Sequence, residues 1–387
     1  MEKEEQADLK QQQKNVIKSR RKTTPTFDFD IPEEYLNTLI GIIVIIIIIS
    51  NFFYFSAKRA KAIAEIESIK YIRGIEDTLL FDYNTLLRNK VELEEYCNYS
   101  YPKVLEKEEY ENQITLANVS LLSNKFQMYV YRNEDFVSQE ILKMESWESD
   151  ETKNLLNSLL HYSSLNNLKP HEIYFLDIGS GIGWHSYFIA KNGYNVMSFE
   201  PSDLNNYILR KTFCLNKELN ITFIKKGVYN IDKICDLYTN KKNRGDGFVF
   251  CDSKTKIPSY LTKKEEVSII KLENYIPYLA KNNLGLIRID VDGAEGKVIE
   301  GSIRLMSEYH VPFIYLKFNP EALKLHGTDP ITFLNIFNKY GYLFPSYNFF
   351  DEVYLSPDEV IKKTNGTYNL YIVHHTINKK YNPPTQL

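Results

Sequence analysis

A chain of 387 residues is long enough for one sizeable α/β core with appendages, or for two smaller domains. Its 47 basic and 50 acidic residues leave a formal net charge of −3, which excludes the strongly basic balance of a general nucleic-acid binder. Cys97, Cys214, Cys235 and Cys251 show no C-x-x-C spacing and have no histidine pair nearby, so neither a metal nor a redox motif is expected, and they are too few for a disulfide framework.

Residues 1–34 are polar, rich in glutamine and lysine and without apolar periodicity, and are expected to be a disordered tail with a basic cluster at Lys18, Arg20, Arg21 and Lys22. Residues 35–57 carry no charge and are isoleucine-rich at their centre. About 20 apolar residues at about 1.5 Å each match a bilayer core of about 30 Å, so this run is expected to be a single transmembrane helix. Lys58, Arg59, Lys61, Lys70 and Arg73 follow it as densely as the first cluster precedes it, which leaves orientation nearly undecided by charge. Asn98, Asn118, Asn220 and Asn365 each begin an N-x-S/T sequon, which tips the expectation toward a cytosolic N-terminus and a catalytic domain in the lumen of the endoplasmic reticulum or Golgi. Residues 58–113 read as a helical stalk and linker whose isoleucine stripe packs on the domain or self-associates.

A domain is expected over 114–376, with a flexible tail at 377–387. Strands are read at Phe126 to Tyr131 and Ile221 to Ile224, and helices at Val137 to Met144, Lys153 to Tyr162 and Leu204 to Leu215. Asn243 to Gly247 (NRGDG) reads as the turn of an inserted hairpin. Leu284 to Ile289 and Phe313 to Phe318 read as strands, with a helix reaching about Ser307 between them. Pro330 to Lys339 reads as a helix, and Leu370 to His374 as a late strand. This alternation predicts a doubly wound, mostly parallel sheet.

The organising stretch is Tyr174 to Glu200: a strand ending in Asp177, a loop with Gly179, Ser180, Gly181 and Gly183, an apolar helix, and a short strand delivering Glu200. Glycines let backbone approach a ligand, and an acid about 20 residues on is placed to bind a ribose hydroxyl pair. Trp184 stands where a dinucleotide fingerprint needs a third small residue, so an NAD-dependent oxidoreductase is disfavoured. S-adenosylmethionine has no phosphate, and its cationic end suits Asp177. Gly227 and Val228 are expected beside the adenine.

With these residues in view, the chain from about Ala117 to His374 resembles the FkbM-type family of S-adenosylmethionine-dependent methyltransferases. Three pieces carry the resemblance in order: FLDIGSGIGWHSYFIAKNGYNVMSFEP, IRIDVDGAEGKVIEGS and VPFIYLKFNPEALKLHGTDPITFLNIFNKYGY. It implies a seven-stranded class I methyltransferase sheet and methyl transfer, usually to an oxygen of a small molecule or glycan. Ser180, Gly181 and Asp292 depart mildly from the family's pattern, and Lys317 stands where an acid is common, so a catalytically impaired binding module is the alternative. In such a sheet Asp290 ends the fourth strand and is expected to face the transferred methyl and take the acceptor's proton, with Asp292, Glu295 and His185 as the other catalytic candidates. The acids also suit a structural role at a helix start.

Overall fold

The computed structural model describes residues 92–93, 96–97, 108–252, 255–275, 278–279 and 282–377. The span expected over 35–57, the tail before it and most of the stalk lie outside them. So do the chain beyond residue 377, where a tail is expected, and the sequon at Asn98. Among the described residues no helix is long and apolar enough to cross a membrane.

After a single helical turn at Glu108–Glu111 comes a hairpin, β1 (Ile114–Leu121) and β2 (Asn124–Tyr131). Helices α1 (Phe136–Met144) and α2 (Ser149–Asn166) follow, the first capped by Asp135, whose side chain accepts from the Ser138 N–H at 2.7 Å. Then come β3 (Ile173–Ile178), α3 (Trp184–Lys191), β4 (Asn195–Phe199), α4 (Asp203–Leu215) and β5 (Ile221–Ile224), close to the expected limits. Four strands, β6 (Gly227–Tyr229), β7 (Lys233–Asn240), β8 (Asn243–Phe250) and β9 (Leu261–Lys271), form a separate sheet in the order β6-β9-β7-β8. The main sheet resumes with β10 (Asn283–Ile289), α5 (Glu295–Glu300), α6 (Ile303–Ser307), β11 (Phe313–Phe318), α7 (Pro320–Leu325) and α8 (Pro330–Lys339). It ends with β12 (Tyr342–Pro345), β13 (Tyr354–Leu355), α9 (Pro357–Lys363) and β14 (Tyr368–His374).

The main sheet has eight strands in the order β13-β12-β14-β11-β10-β3-β4-β5. Strands β11, β10, β3, β4 and β5 pair in parallel, and β14 and β12 close the edge antiparallel. The seven strands implied by the resemblance are all present, and the eighth, β13, is only two residues long. Strand order reverses between β3 and β10, the switch point at which open α/β sheets place ligands beyond their carboxyl ends. Both faces are covered, which explains the near-continuous apolar runs. Phe175, Leu286, Phe313 and Tyr315 sit in one core cluster, while Leu176, Ile287, Ile314 and Leu316 sit in the other.

Three expectations change. The sequence NRGDG is not a turn but half of β8; the chain reverses at Lys241 and Lys242, where Asn240 Oδ1 accepts from the Lys242 N–H at 3.0 Å. Its glycines answer close approach: a Cβ at Gly245 would clash with the Asp135 carboxylate, and one at Gly247 would stand 2.9 Å from a Leu237 methyl. The single helix expected to reach Ser307 is two, separated at Gly301 and Ser302, and a Cβ at Gly301 would strike the Tyr229 carbonyl. All four cysteines are paired, Cys97 with Cys214 across 117 residues and Cys235 with Cys251 between β7 and β8.

Candidate functional site

The loop between β3 and α3 lies at the switch point and opens onto a cavity of about 690 Å³, within the range of small-molecule sites. Its three glycines all have positive φ, at +77°, +56° and +91°. Gly179 and Gly183 are also fixed by packing, since a Cβ would strike the Asp290 carbonyl at the first and a Leu209 methyl at the second. At Gly181 a Cβ would meet nothing within 4 Å, and its N–H instead donates to Glu200 Oε2 at 2.9 Å. Glu200 Oε1 accepts from the Ser202 N–H at 2.9 Å. Burial pushes the Glu200 carboxyl up to about 7, against the pull of these backbone donors. Gly227 and Val228 line the same cavity from β6, as does Ser180, whose hydroxyl is buried with no hydrogen-bond partner.

Asp177 is fully buried and held within the protein. Arg288, its neighbour in register on β10, donates to Asp177 Oδ1 at 2.9 Å, and the Ser186 hydroxyl donates to Oδ2 at 2.6 Å. The other end of the Arg288 guanidinium donates to Asp290 Oδ2 at 2.6 Å. Burial works against the Arg288 charge, but Asp177 and Asp290 outweigh it and hold the guanidinium protonated. Asp290 does line the cavity, yet it enters it as half of an ion pair.

His185 is also occupied. Trp184 Nε1–H donates to Thr152 Oγ1 at 2.9 Å, and Thr152 lies 3.3 Å from His185 Nδ1. His185 Nε2 lies 3.2 Å from Glu148 Oε2, and Lys317 Nζ donates to the other Glu148 oxygen and to Asn369 Oδ1 at 2.9 Å. Burial favours a charge-free Glu148, but the His185 hydrogen bond and the charges of His185, Lys317 and Arg288 prevail and keep its carboxyl well below the usual range. An ionised Glu148 fixes the proton on His185 Nε2. Burial and Arg288 lower the imidazole's own pKa against the pull of Glu148, and Nδ1 faces the Thr152 hydroxyl. Both ring nitrogens are thus engaged, and Lys317 is a fixed cation at the cavity wall.

In the turn after β10, Glu295 Oε1 accepts from the N–H groups of Val291 and Gly293 at 3.2 and 3.3 Å, the structural role of an acid at a helix start. Its second oxygen is buried without a partner, and burial raises the carboxyl to about 7. Asp292, at φ 52°, accepts from the Gly247 N–H at 3.2 Å, bringing β8 against the turn and placing Asp246 on the cavity. Sequence reading missed Arg288, Glu148 and Asp246. Of these only Arg288 left a signal, a lone charge inside an otherwise apolar buried strand. Among the described residues no group of three or more His, Cys, Asp or Glu side chains is placed to hold a metal ion.

No curated protein matches the chain. Among solved structures, the bifunctional kinase-methyltransferase WbdD gives a TM-score of 0.35 at 12% identity, over 58% of this chain and 39% of that one. The chain thus spans about two fifths of the WbdD length. Magnesium protoporphyrin IX methyltransferase (ChlM) from Synechocystis PCC 6803, solved with bound SAM, gives 0.31 at 12% identity over 62% and 84%. Precorrin-6y C5,15-methyltransferase from Geobacter metallireducens GS-15 gives 0.30 at 11% over 59% and 90%. Similarity at this level bears on neither substrate nor activity. The family comparison is direct: residues 177–344, from the buried acid of β3 into β12, match the methyltransferase FkbM domain.

Proposed function

We propose that the protein transfers the methyl group of S-adenosylmethionine to a hydroxyl of a glycan, a lipid-linked sugar or another small acceptor. The observation that carries this reading is the contact between Glu200 and Gly181, an acid at the end of β4 folded against the glycine loop at the mouth of a large cavity. The residues suit the cofactor. Glu200 would take the ribose hydroxyls, Gly227 and Val228 would flank the adenine, and the unpartnered Ser180 hydroxyl would gain a hydrogen bond. The bound cofactor supplies an electrophilic methyl group on a sulfonium cation. Carboxylates along the cavity favour that charge. Calorimetry of the full chain with S-adenosylmethionine, followed by transfer of labelled methyl to a component of a membrane extract, tests the reading.

A second reading is a domain that binds S-adenosylmethionine without turnover. Lys317 favours it, since the position where the family commonly has an acid holds a cation engaged by Glu148. Binding without label transfer would support that reading.

The membrane anchor and lumenal placement are part of the same proposal. Two disulfides suit an oxidising compartment, and Asn118, Asn220 and Asn365 are all exposed in their sequons.

A further inference from the structure

Most acids that line the cavity are committed. Asp290 is paired with Arg288, Glu148 with Lys317 and His185, and Glu200 with two backbone N–H groups. Asp246 and Asp292 each have one uncharged partner, the Asn243 side chain for Asp246 and the Gly247 N–H for Asp292. Asp246 lies on β8 and Asp292 in the turn after β10, and Asp292 Oδ2 accepts from the N–H of Gly247, the residue next to Asp246. Both line the cavity, and neither pairs with a cation among the described residues. Asp292 is held in the left-handed region at φ 52°, which aspartate tolerates better than most residues and which turns the chain toward β8. A separate sign points to a ligand here: the Ser180 hydroxyl and the second Glu295 oxygen line the same cavity, buried and without hydrogen-bond partners.

We propose that the Asp246–Asp292 carboxyl pair is the general base of the reaction and takes the acceptor's hydroxyl proton, in place of Asp290. The proposal rests on the methyl-transfer reading above. In the step it assigns, the O–H bond of the acceptor breaks toward the pair as its oxygen bonds the methyl carbon. The carbon–sulfur bond of the sulfonium donor breaks with its electron pair left on sulfur. The products are the methyl ether, the neutral thioether and one proton on the pair, which then passes to water. The surroundings favour this role. Burial raises both carboxyls, Asp246 to about 6 and Asp292 well above its ordinary value, and they repel one another. Asp135 faces Asp246 from the start of α1, Asp290 with its partner Arg288 faces both from β10, and Glu295 faces Asp292 from α5. A carboxylate with a raised pKa is a stronger base than an ordinary one, and two that cannot ionise together titrate as a unit.

The test compares Asp246→Asn and Asp290→Asn in the full chain by calorimetry with S-adenosylmethionine, transfer of labelled methyl in membrane extract, and infrared pH titration of the carboxyl groups. The proposal expects Asp246→Asn to bind S-adenosylmethionine within about threefold of wild type and to lose about 100-fold or more in transfer, the range for general-base loss. It expects Asp290→Asn to lose less. In the infrared titration, Asp246→Asn should lower the protonation step of the remaining partner. Full transfer by a cofactor-binding Asp246→Asn would overturn the assignment and leave methyl transfer standing. Absence of S-adenosylmethionine binding by the wild type would instead overturn the methyl-transfer reading, and this one with it. If Asp246→Asn fails to fold, the wild-type pH profile decides: an acid limb near pH 6 supports the pair, and a rate flat between about pH 5 and 8 overturns it.

Discussion

Arg288 and Asp177 are register partners on adjacent parallel strands, and their side chains meet at 2.9 Å in a layer with almost no solvent. The pair fixes the end of β3 to the end of β10, the two strands between which the sheet reverses. Asp177 is fully buried and has only Arg288 as its cation partner among the described residues. Replacing Arg288 by Met leaves that charge unpaired, and the expected loss is about 3–5 kcal/mol of stability. Urea unfolding of the variant measures it; a loss below about 1 kcal/mol would show that the pair contributes little.

Glu200→Ala is expected to weaken S-adenosylmethionine binding by about 1.5–3 kcal/mol, the range for losing a hydrogen bond to a charged group, with the fold retained. Calorimetry reads the change. Unchanged affinity would reduce Glu200 to a former of the turn at Gly181 and Ser202.

The same residue gives a pH signature. Burial raises its folded pKa to about 7 from an ordinary 4.5, so the folded protein holds this proton more tightly than the unfolded chain does. The resulting stability is fully present below about pH 4.5 and is lost as pH rises through about 7. Glu200→Gln should therefore gain on wild type in melting temperature between those values. A constant difference across the window would contradict the raised pKa.

What the sequence made legible, and what it hid, follows the range of each interaction. The unit from β3 to β4 was legible because glycines, strand-end acids and the apolar helix all act within 30 residues of one another. β5, β11 and α8 were also read at their observed limits, since the period of apolar residues is local. The role of β8 was hidden because its glycines make room for Asp135 and Leu237, which are distant contacts, so they read as turn formers. Glu148 lies in the segment that precedes α2, far from the loop it serves, and only the fold brings it to His185 and Lys317. The pairing of Cys97 with Cys214 was hidden for the same reason, at a sequence separation of 117.

That long disulfide carries its own prediction. Cys214→Ser is expected to cost about 2–5 kcal/mol, because the bond closes a long loop in the unfolded chain. Thiol labelling of denatured protein from its native source should find no free cysteine, and glycosidase treatment should increase its gel mobility through loss of glycans on Asn118, Asn220 or Asn365. Four reactive thiols together with unchanged mobility would place the domain in a reducing compartment.

The central claim is that the cavity beside Gly181 and Glu200 binds a methyl donor and passes its methyl on. Its most direct test is a single measurement: the purified full chain is incubated with methyl-labelled S-adenosylmethionine and a membrane extract, and label is counted in the captured product. The account predicts label in an extract component, sensitive to Glu200→Ala. Label no greater than in a protein-free control, from chain that binds S-adenosylmethionine, would contradict it.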